Sequence, residues 1–236
     1  MSGSSKKIII RSVYMDYKAL ASSVGNRDGY GTQEWVYRVL RTGIVNGTLP
    51  GGMQLKQDEI SAALNVSHIP VREALRQLEA QRLVTIHANR GATVTELSRE
   101  KLVNIMQVRA AISCEMLTVA IPRMTDEDFD ELASLIEEQR NATDLMESEE
   151  LNGRFHELLT ARAENSFADM LMEIIHANID RYLRSGFYSE ASARQYSAEE
   201  HEEILAACKR RDVETAKALL HEHIVGAAVR IPGNVH

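Results

Sequence analysis

Residues 55–94 read LKQDEISAALNVSHIPVREALRQLEAQRLVTIHANRGATV, and this stretch decides the fold of the front of the chain. Residues 57–64 have helical spacing, with Ile60 and Leu64 on one face, and Asn65-Val66 makes a tight turn. A second helix is expected over 69–81, with Val71, Leu75 and Leu78 inward and His68, Arg72 and Arg76 outward. Ser67 is read as its cap, because a hydroxyl oxygen can accept an otherwise orphan backbone N–H. Pro70 is tolerated in the first turn, where the amides have no intrahelical partner. Two short β runs, 84–87 and 92–95, are joined by a turn at Asn89-Arg90-Gly91. Helix, turn, helix and a basic-tipped hairpin together predict a winged helix-turn-helix, whose second helix enters the major groove of DNA.

Working outward, a helix is expected over 33–46, capped by Thr32, with Trp35, Val36, Val39, Leu40 and Ile44 at helical spacing. Residues 47–52, GTLPGG, then force a turn. Residues 1–31 have little periodicity and read as a mostly flexible arm with room for one short ordered piece. From Ser98 onward every segment is helix-like: 98–121, 126–146, 148–162, 166–186, 196–210 and 212–229. Ser98, Thr125 and Asp212 open helices there, and the acidic first turn after Thr125 suits the helix dipole. The fold class is therefore mostly α: a winged helix-turn-helix over 32–97 and an all-helical antiparallel bundle over 98–236.

The bulk numbers agree with two modest domains. The chain has 236 residues, 44% hydrophobic and 26% charged, enough to bury a real core. No uninterrupted run of about 18 apolar residues occurs, so no membrane span is expected and the cytoplasm is the expected location. Cys114 and Cys208 lie far apart in apolar helical patterns, which favours buried reduced thiols over a disulfide. A net charge of −7 looks wrong for a nucleic-acid binder, but its distribution does not. Residues 1–97 hold 12 Lys+Arg against 8 Asp+Glu; residues 98–236 hold 15 against 26. Phosphate attraction needs local positive charge, so a basic front joined to an acidic rear suits a DNA reader attached to a domain with another task.

The chain resembles the GntR family of bacterial transcription regulators, in the branch whose C-terminal half is the helical FCD ligand-binding domain. The resemblance rests on Leu49-Pro50-Gly51, on Val66-Ser67-x-x-Pro70-Val71-Arg72-Glu73-Ala74-Leu75-Arg76-x-Leu78, on Leu83-Val84 and on Arg90-Gly91-x-x-Val94. In the second half it rests on Val108-Arg109, Phe155-His156, Asn165, His201 and His223. Three positions depart from the family pattern. His68 stands where Arg is usual, Gln81-Arg82 precede Leu83-Val84 in place of Glu-Gly, and Ser113 stands four residues after Arg109 where Glu is frequent. Arg reads guanine with two donors and a neutral His cannot, so the first departure implies a changed operator.

On this reading Arg72 contacts DNA, with Arg76 beside it; the alternative for each is a solvated charged face. Ser67, His68 and Pro70 sit at the helix N-terminus, where backbone N–H groups and the dipole favour phosphate. Arg90 and Gly91 form the wing tip, and Arg41, or Arg38, touches phosphate from the first helix. One such module covers too little sequence for useful specificity, so a homodimer on a near-palindromic duplex is expected.

His156, His201 and His223 each fall on a helix that also carries apolar residues, and a buried imidazole needs partners for its nitrogens. Three such residues from three helices can converge on a divalent cation, with zinc expected first and nickel or manganese as alternatives; satisfied or surface histidines are the plainer reading. Asn152, four residues before His156, can add an amide oxygen. The resemblance implies an Asp and three His at these positions, and Asn152 stands in for the Asp. Arg109 reads either as a clamp for the carboxylate of a small organic acid or as half of an internal salt bridge. Arg181 and Tyr182 are further candidates for lining that cavity. Two other functions compete with this one: a metal-dependent hydrolase, for which the sequence has no HExxH or nucleophile elbow, and a DNA-binding protein with no effector.

Overall fold

The computed structural model describes residues 17–25, 27, 29–88, 91–184 and 190–229. The chain divides into two compact units, one drawn from Met1–Ile44 and Gly52–Val94, the other from Val45–Gly51 and Thr95–His236. The first contains helices α1 (Tyr17–Val24), most of α2 (Thr32–Val45), α3 (Gln57–Leu64) and α4 (His68–Ala80), with strands β1 (Gln54–Leu55), β2 (Val84–His87) and β3 (Gly91–Val94). The second holds α5 (Arg99–Ala120), α6 (Asp126–Asn141), α7 (Leu145–Ala161), α8 (Ser166–Arg184), α9 (Glu190–Lys209) and α10 (Val213–Val229), with a 3-10 turn, Ile121–Arg123, after α5.

In the first unit the apolar positions close one core. Ile60, Leu64, Val71, Leu75 and Leu78 are all buried, as their spacing requires. Asn65 takes the left-handed conformation that ends α3 and turns the chain into α4. The strands form a three-stranded antiparallel sheet in the order β1-β3-β2, with Leu55 opposite Ala92 and Thr85 opposite Thr93. Two residues are too short for an alternation, so β1 leaves no signal in the sequence. The Glu79 carboxylate accepts the Ile86 N–H at 2.8 Å and ties the hairpin to α4. Helix α1 lies within the segment expected to be an arm; Tyr17 and Leu20 are buried and α1 packs on α3, so residues 17–24 belong to the core of this unit.

Ser67 occupies the N-cap of α4 with extended backbone but makes no side-chain cap bond, contrary to expectation. The third residue of the helix, a usual donor to such a cap, is Pro70, which has no N–H. Thr32, likewise expected as a cap, is the first residue of α2. Ser98, Thr125 and Asp212 accept from Lys101, Asp128 and Thr215 backbone N–H groups as predicted, and Thr125 with Asp128 completes a reciprocal capping box.

The second unit is built around α5, which packs against α10, α8 and α7, while α6 packs on α7 and α9. Among the described residues α5 with its 3-10 extension is the one helix apolar and long enough to cross a membrane, with a mean hydropathy of 1.3 over 18 residues. Its burial by neighbours within the bundle identifies it as a core helix. Leu102, Met106, Ala110, Leu117 and Ile121 join Phe155, Leu159, Ile204, Cys208, Leu220 and Ile224 in one cluster. Cys114 and Cys208 are buried free thiols, and burial pushes Cys208 up to about 12. Helix α6 ends at Asn141, five residues earlier than its periodicity suggests, because Asp144 starts a new helix by accepting the Glu147 N–H.

Candidate functional site

Two constellations stand out, one in each unit. In the first, the N-terminal turn of α4 is open to solvent. Ser67, His68 and Ile69 are exposed, Ile69 at 64%, and Pro70 is half-buried. The side chains of Arg72 and Arg76 are exposed too, and both lie near Glu73, Arg76 Nη1 at 3.1 Å and Arg72 Nε at 3.5 Å. Exposed pairs of this kind are worth about 0–1 kcal/mol, so a phosphate or a guanine can take either guanidinium from Glu73. His68 Nδ1 lies 3.5 Å from Asp58, also at the surface. Arg41 is half-buried on α2, whereas Arg38 is held by Glu34 at 2.8 Å and sits over the Tyr30 ring. Gly91 has φ of +80°, and a Cβ there would meet the Leu55 carbonyl oxygen at 2.4 Å, so the backbone itself demands glycine. Arg90 lies outside the described residues. Sequence reasoning passed over Ile69: its helical position next to His68 and Arg72 marked it as outward, but its apolar side chain did not suggest exposure.

The second constellation lies in the core of the bundle. Helices α7, α9 and α10 bring His156, His201 and His223 together, all buried. Nε2 of His223 lies 3.2 Å from Nε2 of His156 and 3.2 Å from Nε2 of His201. All three ligand atoms fall within 4.8 Å of one another. Phe155 stacks on His201 with ring centroids 3.9 Å apart and fixes that ring's plane. Two of the outer nitrogens are also engaged. His223 Nδ1 faces Glu200 Oε2 at 2.7 Å and His201 Nδ1 faces Gln139 Oε1 at 3.0 Å. An ionised carboxylate only accepts, so His223 carries its proton on Nδ1 and presents a bare lone pair at Nε2. With the Gln139 oxygen facing His201, the same holds for that ring.

Two bare imidazole nitrogens at 3.2 Å repel each other unless something positive lies between them. A proton is disfavoured: burial first, then the charge of Arg109 and the other imidazoles, pushes His156 well below its ordinary value. His201 is pushed the same way by burial, then by His223 and Arg109. A divalent cation fits the donors. Nitrogens about 2.0–2.1 Å from a tetrahedral ion lie roughly 3.3 Å apart, close to the 3.2 Å that separates His223 Nε2 from each of the other two. Asn152 strengthens the fit, because its buried Oδ1 has no hydrogen-bond partner while its Nδ2 reaches Glu149 at 3.5 Å. Gln139 and Glu200 were not anticipated from the sequence. Glu200 adjoins His201 in the chain yet serves His223, a pairing that exists only across the α9–α10 packing.

Arg109 is buried on α5. Its charge bears on His156, His201 and His176, the last pushed down to about 4 mainly by burial. It also bears on Glu149, whose carboxyl burial pushes up while Arg109 and the Asn152 amide pull it down. The two residues expected beside it are engaged elsewhere. Arg181 donates to the Thr95 carbonyl and keeps a buried Nε with no hydrogen-bond partner. The Tyr182 hydroxyl donates to the Ser98 carbonyl at 3.1 Å and accepts the Ser98 N–H at 3.3 Å. The bundle also has an open cleft of about 560 Å³ between α6 and α7, lined by Glu137, Glu138, Glu147 and Glu150. Among the described residues Arg154 is the one cation beside these carboxylates, so the lining is net negative and disfavours an organic acid.

Residues 32–94 match the family described as bacterial regulatory proteins, gntR family, and residues 104–226 match the FCD domain. The HTH-type transcriptional repressor RspR of Escherichia coli (strain K12) is 30% identical over 192 residues, which cover 80% of this chain and 84% of that protein. The crystal structure of a GntR-family transcriptional regulator from Pseudomonas syringae pv. tomato shares 30% identity, covers 92% of each chain and has a TM-score of 0.50. McbR/YncC of E. coli has the same fold, with a TM-score of 0.65 at 23% identity over 84% of this chain and 96% of that one. Matched at both ends of the chain, and related over most of its length to a repressor of this kind, the protein belongs to the GntR family of bacterial regulatory proteins and is a transcriptional regulator with an FCD domain.

Proposed function

We propose that this regulator is a cytoplasmic repressor. In this reading residues 32–97 bind a near-palindromic operator as half of a homodimer, residues 98–236 sense a small carboxylic acid, and 1–31 precede the DNA reader. Exposed Ser67 and His68 and half-buried Pro70 at the start of α4, with Arg72, Arg76, Arg41 and Gly91, support the DNA surface, to which Arg90 is assigned from the sequence. The sign of regulation follows RspR, which is named a repressor.

The observation that carries the sensing half is the set of three converging Nε2 atoms beside the buried charge of Arg109. His156, His201 and His223 would hold a divalent metal ion, zinc before nickel or manganese, with the Asn152 oxygen as a fourth donor. The ion supplies a Lewis-acidic point able to take a carboxylate or hydroxyl oxygen. Glu200 and Gln139 keep the His223 and His201 lone pairs aimed inward. The Arg109 guanidinium favours an anion in the same region through its field, and Arg181 offers a second cation; Tyr182 serves by holding the start of α5. A hydroxy, keto or sugar acid combines the required anion with a second oxygen. Its binding shifts operator affinity by the difference in its own affinity for two states of the dimer.

A hydrolytic role finds less support. Glu202 is paired with Arg140 at 2.7 Å and Glu157 is exposed, so neither neighbour of a candidate ligand stands as a general base. The deciding experiment is a thermal-shift screen of hydroxy, keto and sugar acids with and without zinc, followed by operator binding at low and physiological salt. The expected result is a zinc-dependent stabilisation by at least one acid and a steep fall of DNA affinity with salt. No metal by elemental analysis and no response to any acid would remove the sensing half; a salt-independent isotherm would remove the DNA half.

A further inference from the structure

Among the described residues of the winged unit, Ile69 is the one large aliphatic side chain left exposed, at 64%. The other large apolar residue exposed there, Tyr30, lies under the Arg38 guanidinium, 4.2 Å from its ring centroid. Ile69 is the second residue of α4, and Arg72 and Arg76 follow it at three and seven residues. At 3.6 residues per turn these three lie along one face of the helix. Exposed Ser67 and His68 complete the open first turn. Ile69 adds nothing to the core, because Val71, Leu75 and Leu78 occupy the far side of α4. Nor does it serve the helix, since a branched Cβ loses freedom against the preceding turn. It is also too small for a protein-docking patch: one alkyl side chain amid Ser, His and Arg falls far below the area of such surfaces.

We propose that Ile69 reads the C5-methyl group of a thymine in the major groove, and so fixes an A·T pair at one position of each half-site. The inference rests on the DNA-binding reading above. A recognition helix puts its N-terminal residues against base edges. Those edges are otherwise hydrogen-bond donors and acceptors, which an alkyl side chain cannot satisfy; the thymine methyl is the apolar group that the groove offers. Contact between the two takes both out of water, whereas any other base leaves a polar edge facing an alkyl group. The branched side chain has few rotamers to lose, so the contact costs little ordering. His68 beside it stands where the family pattern has a guanine-reading Arg, so the tip of α4 is turned from G·C towards A·T pairs.

The probe is a duplex enriched by the full-length wild type from a randomised pool, with each thymine then replaced in turn, in both half-sites, by deoxyuridine. Uracil keeps the hydrogen-bonding groups of thymine and lacks only the methyl. Affinity is read by fluorescence anisotropy at fixed salt. One methyl lost from an apolar contact costs about 4-fold, so replacement at the contacted position of both half-sites should weaken wild-type binding about 15-fold. Ile69→Ala, which shortens an exposed side chain and leaves the helix intact, should bind the thymine and uracil duplexes within about twofold of each other. A residue that only supported the helix would lower both affinities alike, so the readout is the difference between the two ratios. A bound duplex in which no thymine replacement costs the wild type more than about twofold overturns the methyl reading and leaves DNA binding intact. An Ile69→Ala protein as sensitive to uracil as the wild type does the same. If the pool yields no enriched duplex, the DNA-binding proposal falls and this inference falls with it.

Discussion

Glu200→Gln isolates the part of the histidine centre that only the three-dimensional structure reveals. The Glu200 carboxylate accepts from His223 Nδ1 at 2.7 Å, a short charge-assisted bond that fixes the tautomer and makes Nε2 a better donor. Glutamine keeps the shape and can still offer an oxygen, but not the charge. Loss of such an outer partner costs about 10–100-fold in metal affinity, or about 1.4–2.8 kcal/mol. A thermal melt converts this into a visible effect. Zinc at about 100 times the wild-type Kd adds about 2.7 kcal/mol of stability; with a Kd weakened roughly 30-fold, the same zinc adds only about 1 kcal/mol. The assay pairs melts with and without zinc with competition against a chelating dye. Glu202→Gln is the control, because that carboxylate lies at the surface against Arg140. If Glu200→Gln binds zinc as the wild type does while His223→Ala does not, the outer-partner argument is wrong. If the wild type binds no metal, the site itself is wrong.

Gly91→Ala should destabilise the winged unit by at least about 1–3 kcal/mol, because alanine must adopt φ of +80° with its Cβ against the Leu55 carbonyl; a shift in denaturant midpoint worth less than about 0.5 kcal/mol would contradict this. Arg72→Ala should lower operator affinity roughly 10–100-fold in a fluorescence-anisotropy titration, and unchanged binding would show its exposed guanidinium to be a solvated surface charge. Asp128→Asn tests the α6 start, where Arg162 grips the carboxylate at 2.8 and 2.9 Å and the Thr125 N–H adds a third bond. The Arg162 bond first, then the others, holds the Asp128 carboxyl below its ordinary range. A depressed folded pKa gives stability that is present above the unfolded value of about 4 and is lost as pH falls through the folded pKa, so the variant should melt below wild type at pH 7 and converge with it once the pH has fallen through that depressed value. A gap independent of pH would place the effect in packing.

The local pattern was sufficient for most of the helices, for the β2–β3 hairpin and for the type of each unit. Ile60, Leu64, Val71, Leu75 and Leu78 repeat at 3.6 residues, and a periodicity of that kind survives in one dimension because the helix itself is periodic. His156, His201 and His223 were legible as candidates because polar residues on apolar stripes stand out. Their convergence at 3.2 Å was not legible, since it depends on how α7, α9 and α10 cross, and neither were Gln139 and Glu200, whose partners lie 62 and 23 residues away. The same reason hid β1, a strand made only by its pairing with β3, and gave Arg181 and Tyr182 to the segment 95–98. What a residue repeats along the chain is fixed by backbone geometry and can be read from sequence; what it meets across the chain is fixed by packing, and only the folded molecule decides it.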